Sequence, residues 1–397
     1  MSPAAPGSVA EIFRAFLALG LTSFGGPAAH FVLFRREFVE RRAWVSELQF
    51  GHLMTLCQFL PGPGSSKLGF TLGLLRGGWP GALAAFVGFT LPSAALLLGF
   101  GALLPRLAGP TGQAALHGLK LVALAVVAYG LLGMVRTLCP DGPRRAIAAL
   151  ATLLLLGLGQ TWAQLLVVGL GAMAGLVLCR SVRPDFSGEF LLRYGKRTGA
   201  VLLGVFTVFL ALMPYAEQLS PGPLRYAEAF FRTGALSFGG GHVVLPLLQD
   251  AVVRPGWIPT SDFMAGYGAA QAVPGPMFAL SAYLGALLPG PDGGWRGASI
   301  ALLATFLPGF LLAGGILPYW RSLAAHPAAV RAIAGVSAVV VGLLAAALYD
   351  PVWVSAVRAP IDVAVAALGF VALLRWRASA LTVVFLCVGA ELLLSLR

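Results

Sequence analysis

The chain has 397 residues, of which 58% are hydrophobic and only 11% are charged, and its mean hydropathy is +0.86. Because a soluble domain carries about 25% charged residues, this composition excludes an ordinary soluble protein and predicts an all-α polytopic membrane protein. The formal net charge of +12 does not indicate a nucleic-acid partner, because the arginines stand in short loops between apolar runs, where basic residues set membrane topology.

The N-terminal segment is predicted to be a helix over residues 8–24 that ends at a break in the apolar sequence, Ser23-Phe24-Gly25-Gly26-Pro27. A basic amphipathic segment over 30–44 follows, with arginines placed between aromatic and aliphatic residues. Such segments lie at membrane interfaces. We therefore expect this segment at the cytoplasmic face, with the N-terminus on the same side.

A second break stands at Pro61-Gly62-Pro63-Gly64, between the apolar runs 48–60 and 68–75. Each run is shorter than the roughly 20 residues that a helix needs to cross a bilayer core. Pro and Gly do not continue a helix, so one helix must end and another begin here. Irregular backbone at membrane depth is tolerated only against protein or a water-filled cavity. The free N–H groups of the new helix, with two hydroxyls and Lys67 beside them, suit an anion.

The remaining apolar runs predict further helices, separated by short loops and by a basic segment over 180–198 that we expect to be a linker. In chain order these predicted helices are 79–104, 116–138, 146–158, 162–178, 199–213, 328–348, 361–374 and 378–396.

Motifs of the first half return in the second half in the same order. The offset is 214 for the Ser-Phe-Gly-Gly motif at 23–26, 213 for the Gln58 and Pro-Gly-Pro motif, and 216 for Trp79 and Pro92. The returning residues are Ser237-Phe238-Gly239-Gly240, Gln271, Pro274-Gly275-Pro276, Trp295 and Pro308.

The repetition predicts two copies of one membrane unit, over 8–180 and 224–397. A basic linker and one extra transmembrane helix over 181–223 would join them. If loops rich in Lys and Arg are cytoplasmic, the Trp79 span runs from inside to outside and the Trp295 span runs the other way. The copies are then inverted, with broken or re-entrant helices, which is a recurring plan of secondary transporters.

We expect a multi-pass protein of the cell inner (plasma) membrane, and the same charge rule places its C-terminus outside. It also places the arginines of 35–42 and Arg76 on one side, so segments 8–42 and 46–76 would enter the membrane and return. Unbroken crossings by either segment remain open at this stage.

The motifs Phe-Gly-Gly-Pro at 24–27 and Phe-Leu-Pro-Gly-Pro at 59–63, with their copies at 238–240 and 274–276, resemble those of the chromate ion transporter family in its long, two-domain form. The resemblance covers nearly the whole chain. It implies a membrane carrier that exports chromate, with sulfate as a related oxyanion. The second copy departs from the first, because Gly241 replaces Pro27 and no basic residue stands near Leu280 where Lys67 would have its counterpart.

We expect the anion site at the two sets of breaks. Each candidate also has a structural alternative: the glycines would allow close helix packing, Lys67 would snorkel to an interface, and the glutamines would join helices. His242 is equally well read as a proton-coupling residue or as a core histidine. The candidate residues are Ser23, Phe24, Gly25, Gly26, Pro27, Gln58, Pro61, Gly62, Pro63, Gly64, Ser65, Ser66, Lys67, Ser237, Phe238, Gly239, Gly240, Gly241, His242, Gln271, Pro274, Gly275 and Pro276.

The function predicted from these features is secondary active transport of an oxyanion by alternating access at a midplane site. Chromate efflux, coupled to sulfate or protons, is the first interpretation, and carriage of another anion such as sulfate or passage through a passive anion channel is the alternative. No nucleotide-binding, metalloprotease or nucleophile motif is present in the sequence, so we expect no enzyme activity, no cofactor and no metal. The expected partners are the oxyanion and the lipid bilayer, and association of several copies is left open.

Overall fold

The computed structural model describes residues 7–24, 26–158, 161–180, 192–218, 222–237, 244–320, 322 and 326–395. Across these residues the regular structure is helical, with sixteen helices of at least seven residues. They are α1 Val9–Thr22, α2 Gly26–Arg35, α3 Glu47–Phe59, α4 Gly64–Leu103, α5 Pro110–Leu138, α6 Gly142–Leu158, α7 Thr161–Leu178, α8 Lys196–Glu217, α9 Pro223–Leu236, α10 Val244–Val252, α11 Thr260–Ala272, α12 Leu280–Ala286, α13 Gly294–Ile316, α14 Pro327–Ala347, α15 Pro360–Arg375 and α16 Ala380–Leu394.

Short turns of other helix types join some of these elements. Two are π-helical, Arg36–Arg41 after α2 and Leu348–Trp353 after α14, and four are 3₁₀ turns: Leu104–Ala108, Met277–Ala279, Gly290–Asp292 and Leu317–Tyr319. Of the described helices, five are long and apolar enough to cross a membrane by length and composition: Gly64–Leu107, Pro110–Leu138, Lys196–Met213, Gly294–Tyr319 and Pro327–Ala356.

Local chemistry explains where the predicted helices begin and end. The Ser8 hydroxyl accepts the Glu11 N–H and caps α1, while Ser46 and Gln49 form a reciprocal capping box at the start of α3, as N-terminal serines commonly do. Helix α3 ends at Phe59 and α4 begins at Gly64, so the predicted break is confirmed. Helix α4 is sharply kinked at Gly78, whose φ of 65° is a conformation that favours glycine.

The described chain folds into two compact units, and each unit takes segments from both halves of the sequence. Unit 1 comprises residues 1–98, 186–241 and 273–325, and unit 2 comprises 99–185, 242–272 and 326–397. Helices α1–α3, most of α4, α8, α9, α12 and α13 belong to unit 1. The two sequence repeats are therefore distributed over both units.

In unit 1, segments 8–42 and 46–76 both return to the end at which they start. The Glu11 carboxylate, in the first turn of α1, lies 3.9 Å from Arg42 and 3.5 Å from Arg76. The guanidinium groups of both arginines also lie over the Trp44 ring. Helices α1 and α3 have 14 and 13 residues, about 20 Å at 1.5 Å per residue. Each is thus shorter than the hydrocarbon core of a bilayer, about 30 Å.

Helix α8, the extra helix of the sequence prediction, packs on α9 and α13 in unit 1. The Tyr194 hydroxyl, just before α8, donates to the Gly314 carbonyl at 2.6 Å, and the Tyr319 hydroxyl donates to the Lys196 carbonyl at 2.7 Å. These hydrogen bonds fasten the start of α8 to the end of α13. Most of the remaining surface of α8 is exposed and apolar.

In unit 2, α5 packs on α15 and α16, while α14 packs on α6 and α7. Glycines make both contacts close. A β-carbon at Gly118 of α5 would lie 2.6 Å from the Cα of Val388, and Gly335 of α14 lies directly against the Gly171 backbone. Gly118 and Gly335 are 217 positions apart, as are Gly171 and Val388. The two helix crossings are therefore equivalent, and each joins the two halves of the chain.

Candidate anion site at the two proline-glycine breaks

The two breaks, 61–63 and 274–276, have the same backbone conformation. Gly62 has a φ of 100° and Gly275 has a φ of 99°. Residues with a β-carbon rarely adopt this conformation, so the glycine is required at both positions. Both breaks lie in unit 1 and both are buried, apart from the half-buried Pro61.

Each break is hydrogen-bonded to the serine of the other half of the chain. The Gly62 N–H donates to the Ser237 carbonyl at 2.6 Å, and the Gly275 N–H donates to the Ser23 carbonyl at 2.8 Å. The structure thus brings together the two motifs that the sequence analysis selected. The same glycine-to-serine hydrogen bond is formed at both breaks.

The helix packed against each break also comes from the other half. A β-carbon at Gly62 would lie 2.8 Å from the Cα of Gly309, and one at Gly275 would lie 2.9 Å from the Ser93 hydroxyl oxygen. Ser93 and Gly309 follow Pro92 in α4 and Pro308 in α13, 216 positions apart. The same offset relates the Trp79 and Trp295 positions.

Lys67 is the charged group at the first break, and its side chain is fully buried, with 0% exposure. Its ammonium donates to the carbonyl oxygens of Leu60 and Pro61, the latter at 2.9 Å. These carbonyls belong to the two residues directly after α3, where the chain leaves the helix and backbone acceptors have no helical partner. The Lys67 stem lies against Gly309. Among the described residues no carboxylate forms an ion pair with Lys67.

Buried serine hydroxyls lie in the segments that form the two breaks. The Ser65 hydroxyl lies 3.2 Å from Nδ1 of His30, and Nε2 of His30 lies 3.2 Å from the Ser23 carbonyl oxygen. His30 therefore links the end of α1 to the start of α4. The hydroxyls of Ser23, Ser66 and Ser237 are buried and have no hydrogen-bond partner among the described residues. The sequence analysis did not select His30, and only its position four residues after Gly26 could have drawn attention to it.

The second break lacks these polar groups. It leads into the 3₁₀ turn Met277–Ala279 and then into α12, whose first residue is Leu280. Leu280 occupies the position equivalent to Lys67 at the offset of 213, and it is also fully buried. Phe278 and Ala279 take the places of Ser65 and Ser66. The two breaks thus have the same backbone conformation and different side chains.

The other candidate residues fall into three groups. Gly26 and Pro27 begin α2, and Phe24 is half-buried beside Ser23. Gln58 is exposed in unit 1, whereas Gln271 is buried in unit 2 and hydrogen-bonds Tyr267. Six candidates lie outside the described residues: Gly25, Phe238, Gly239, Gly240, Gly241 and His242.

Comparison with known proteins identifies the family. A family model described as chromate transporter matches residues 10–176 and 224–392. A chromate transport protein of Pseudomonas aeruginosa is 26% identical over 393 residues, covering 98% of this chain and 92% of its own. A chromate transport protein of Cupriavidus metallidurans is 26% identical, covering 91% and 86%.

An uncharacterized transporter of Methanocaldococcus jannaschii is also similar, with 26% identity over 80% of this chain and 77% of its own. No solved structure matches the chain. These relatives are named as transport proteins rather than enzymes. The family model covers well over half of the sequence in two matches, and the chain therefore belongs to the chromate transporter family.

Proposed function

We propose that this protein is a secondary active transporter of oxyanions, with chromate as its substrate and export from the cell as its direction. The relatives named chromate transport proteins support the substrate. The observation that carries the proposal is the fully buried Lys67, whose ammonium contacts two backbone carbonyls and forms no ion pair with a carboxylate among the described residues. A buried charge without a counter-ion is costly, and a bound anion would supply that counter-ion.

The polar groups at the two breaks suit a tetrahedral dianion. Ser66, Ser23 and Ser237 offer buried hydroxyls that have no hydrogen-bond partner among the described residues, and hydroxyls donate to oxyanions. The first N–H groups of α4 carry the partial positive charge of a helix N-terminus, about half a unit. On this proposal Lys67 provides charge, the serines provide hydrogen bonds, and the Pro274–Pro276 break forms an opposing apolar wall.

The reciprocal contacts at the breaks support a two-fold relation between the copies. When residue i of one copy contacts residue j of the other, and j of the first contacts i of the second, a two-fold axis relates them. Gly62 with Ser237, and Gly275 with Ser23, form such a pair. Together with the loop charges, which orient the copies oppositely, this arrangement supports inverted repeats and alternating access. The N-terminus would be cytoplasmic and the C-terminus outside, in the plasma membrane.

Two substitutions of Lys67 test whether its ammonium binds an anion or only caps the end of α3 through the Leu60 and Pro61 carbonyls. Lys67→Gln removes the charge but keeps N–H donors, one bond shorter, for the Leu60 and Pro61 carbonyls. Lys67→Met removes both charge and donors at similar size. Leu280→Met, at the equivalent position of the second break, is the matched control. Binding of chromate to each purified, folded variant is measured by calorimetry, and uptake of labelled chromate is measured in proteoliposomes.

If Lys67 binds the anion, both Lys67 variants lose most binding and uptake, while Leu280→Met keeps them. Wild-type affinity in Lys67→Gln would instead assign Lys67 to capping and contradict the proposal. Sulfate, a dianion of similar shape, is expected to compete with chromate far better than chloride does. Equal inhibition by chloride and sulfate at equal ionic strength, with conductance that needs no counter-substrate, would favour the passive anion channel.

A further inference from the structure

Unit 2 contains a cluster of three buried ionisable side chains, one from each of three packed helices. They are His117 of α5, Asp362 of α15 and Glu391 of α16. One ring nitrogen of His117 and one carboxylate oxygen from each acidic residue all lie within 4.8 Å of one another. Their exposures are 6%, 3% and 8%. The close approach at Gly118 brings α5 against α16 and so places His117 beside the acidic residues.

Asp362 is held firmly within this cluster. One of its carboxylate oxygens accepts the backbone N–H groups of Arg358 at 2.7 Å and Ala359 at 2.9 Å. The other lies 3.2 Å from Nε2 of His117. Because a carboxylate accepts rather than donates, Nε2 must carry a hydrogen for this contact to be favourable. The second ring nitrogen, Nδ1, is then free to accept a proton.

Two atoms of the cluster have no hydrogen-bond partner among the described residues: Nδ1 of His117 and Oε1 of Glu391. Both belong to side chains that are more than nine-tenths buried. Unpaired buried acceptors are rare because they cost free energy. A proton held between the two atoms would make one of them a donor and leave the other as its acceptor, so a single proton could satisfy both.

The charges around the cluster also favour an added proton. Arg358 interacts with Glu391 from the start of α15, Lys120 lies one turn along α5 from His117, and Asp262 of α11 interacts with Lys120. Cys387, which is buried, lies one turn before Glu391 on α16. With His117 neutral, Asp362 and Glu391 would bring two negative charges into a mainly apolar helix bundle. One added proton cancels one of these charges.

The cluster is not required for packing, because the equivalent helix crossing in unit 2 is built without it. At the offset of 217, Ala334 of α14 corresponds to His117, Ala174 of α7 to Glu391, and Arg145 of α6 to Asp362. Arg145 donates to the Cys139 and Pro140 carbonyls at the loop before α6. Small side chains thus suffice at this crossing, whereas the other crossing carries an imidazole and two carboxylates.

We propose that His117, Asp362 and Glu391 bind the proton whose movement drives carriage of the anion, an inference that rests on the proposed transport function. Glu391 and His117 hold and release the proton, and Asp362 orients the imidazole. Intramembrane acidic residues and histidines commonly serve as proton sites in transporters, and here the geometry selects which of them do so.

The test uses the full chain in proteoliposomes, with Glu391→Gln as the main variant and Glu40→Gln, an exposed carboxylate paired with Arg35, as the matched control. Two rates are measured: chromate uptake driven by an imposed pH gradient, and chromate-for-chromate exchange, which needs no net proton movement. The readout is the ratio of the first rate to the second. We expect this ratio to fall at least about fivefold in Glu391→Gln and to stay unchanged in Glu40→Gln. His117→Gln is expected to behave like Glu391→Gln and replaces it if that variant does not fold.

Infrared difference spectra recorded between about pH 6 and about pH 9, where exposed carboxyls stay ionised, provide a readout that does not depend on transport. A protonated carboxyl band is expected in the purified wild type and in Glu40→Gln, and it should be absent from Glu391→Gln. If the wild type exchanges no chromate, the proposed function fails, while this band still decides whether the cluster takes up a proton. A pH-gradient response or a carboxyl band that survives Glu391→Gln would overturn the inference. So would stoichiometric zinc binding to the wild type that Glu391→Gln abolishes, because a metal would then be the ligand.

Discussion

The first and second proline-glycine breaks differ in their side chains but not in their backbone. Gly62 and Gly275 have φ values of 100° and 99°, and each donates its N–H to a serine carbonyl of the other half. Yet the first break is followed by Ser65, Ser66 and Lys67, and the second by Phe278, Ala279 and Leu280. The backbone conformation is therefore duplicated at the two breaks, whereas the hydroxyls and the charge that follow the first break are replaced by apolar side chains after the second.

Exchanging the two side chains at equivalent positions tests this asymmetry and should have the largest effect. In the double variant Lys67→Leu with Leu280→Lys the total charge is kept, but the lysine now follows Phe278 and Ala279 instead of Ser65 and Ser66. We expect chromate uptake in proteoliposomes to fall to the level of empty liposomes, because the hydroxyls and the charge are separated. Uptake near the wild-type rate would mean that the two breaks are functionally equivalent. The single variant Leu280→Lys, which retains Lys67, controls for the cost of a second buried lysine.

Substitution of the glycines should give the next largest effect and should distinguish the two breaks. Gly62→Ala places a β-carbon 2.8 Å from the Gly309 backbone, whereas the β-carbon of Gly275→Ala lies 2.9 Å from the Ser93 hydroxyl, which can rotate away, and 3.2 Å from the nearest backbone atom, the Phe89 carbonyl oxygen. Both alanines would be strained at positive φ by about 1–2 kcal/mol. With the backbone clash added, we expect Gly62→Ala to destabilise by about 3 kcal/mol and Gly275→Ala by about 2 kcal/mol.

Reversible unfolding in mixed detergent micelles measures these losses. Gly64→Ala is the matched control, because its β-carbon would lie 3.6 Å from the nearest atom, Phe31, which is an ordinary contact. We expect Gly64→Ala to change the free energy of unfolding by less than about 0.5 kcal/mol. If Gly62→Ala were as mild as Gly64→Ala, the close approach to Gly309 would not exist in the folded protein.

The positions of the breaks could be predicted from the sequence because proline and glycine act locally. The ends of α3 and α4 depend on Phe59, Pro61 and Gly64, which are neighbours in the chain. The two copies could be predicted because their motifs are short stretches of neighbouring residues that recur in the same order. Burial was harder to predict: Gln58 and Gln271 occupy equivalent positions, but the first is exposed and the second is buried.

Groups that meet only through packing could not be found this way. His30 reaches Ser65 across 35 positions, and His117 reaches Asp362 and Glu391 across more than 240. No motif links these residues, and their contacts depend on which helix lies against which. The available signal was weaker: an acidic residue inside an apolar helix, such as Glu391, indicates function because burial of its charge is costly.

The serines of the first break should show a smaller effect that separates stability from binding. Ser65 is hydrogen-bonded to His30, so Ser65→Ala should lower the free energy of unfolding by about 1 kcal/mol. The Ser66 hydroxyl has no partner among the described residues, so Ser66→Ala should leave stability nearly unchanged and weaken chromate binding instead. Unfolding in micelles and calorimetry with chromate test the two effects. The opposite pattern, with Ser66→Ala destabilising and binding normally, would remove Ser66 from the site.

The smallest expected effect concerns Glu37 in the π-helical turn after α2 and Asp250 in α10, which are equivalent at the offset of 213. Glu37 lies 2.5 Å from Arg42 and 3.2 Å from Arg41, whereas Asp250 lies 4.0 Å from Arg254. Burial opposes ionisation of Glu37, but the hydrogen bonds from Arg42 and Arg41 outweigh it and lower the pKa of the carboxyl.

A carboxyl whose pKa is lower in the folded state stabilises the fold above its unfolded pKa, and this contribution disappears as the pH falls through the folded pKa. We therefore expect Glu37→Gln to destabilise the protein at pH 7 by less than about 1 kcal/mol, and to make no difference once the pH is well below 4. Asp250→Asn, at the equivalent position of the second half, is the comparison variant. Unfolding midpoints of the wild type and both variants from pH 7 down to pH 3 measure the contribution. A Glu37→Gln loss that persisted unchanged at pH 3 would show that packing, and not ionisation of this carboxyl, stabilises the turn.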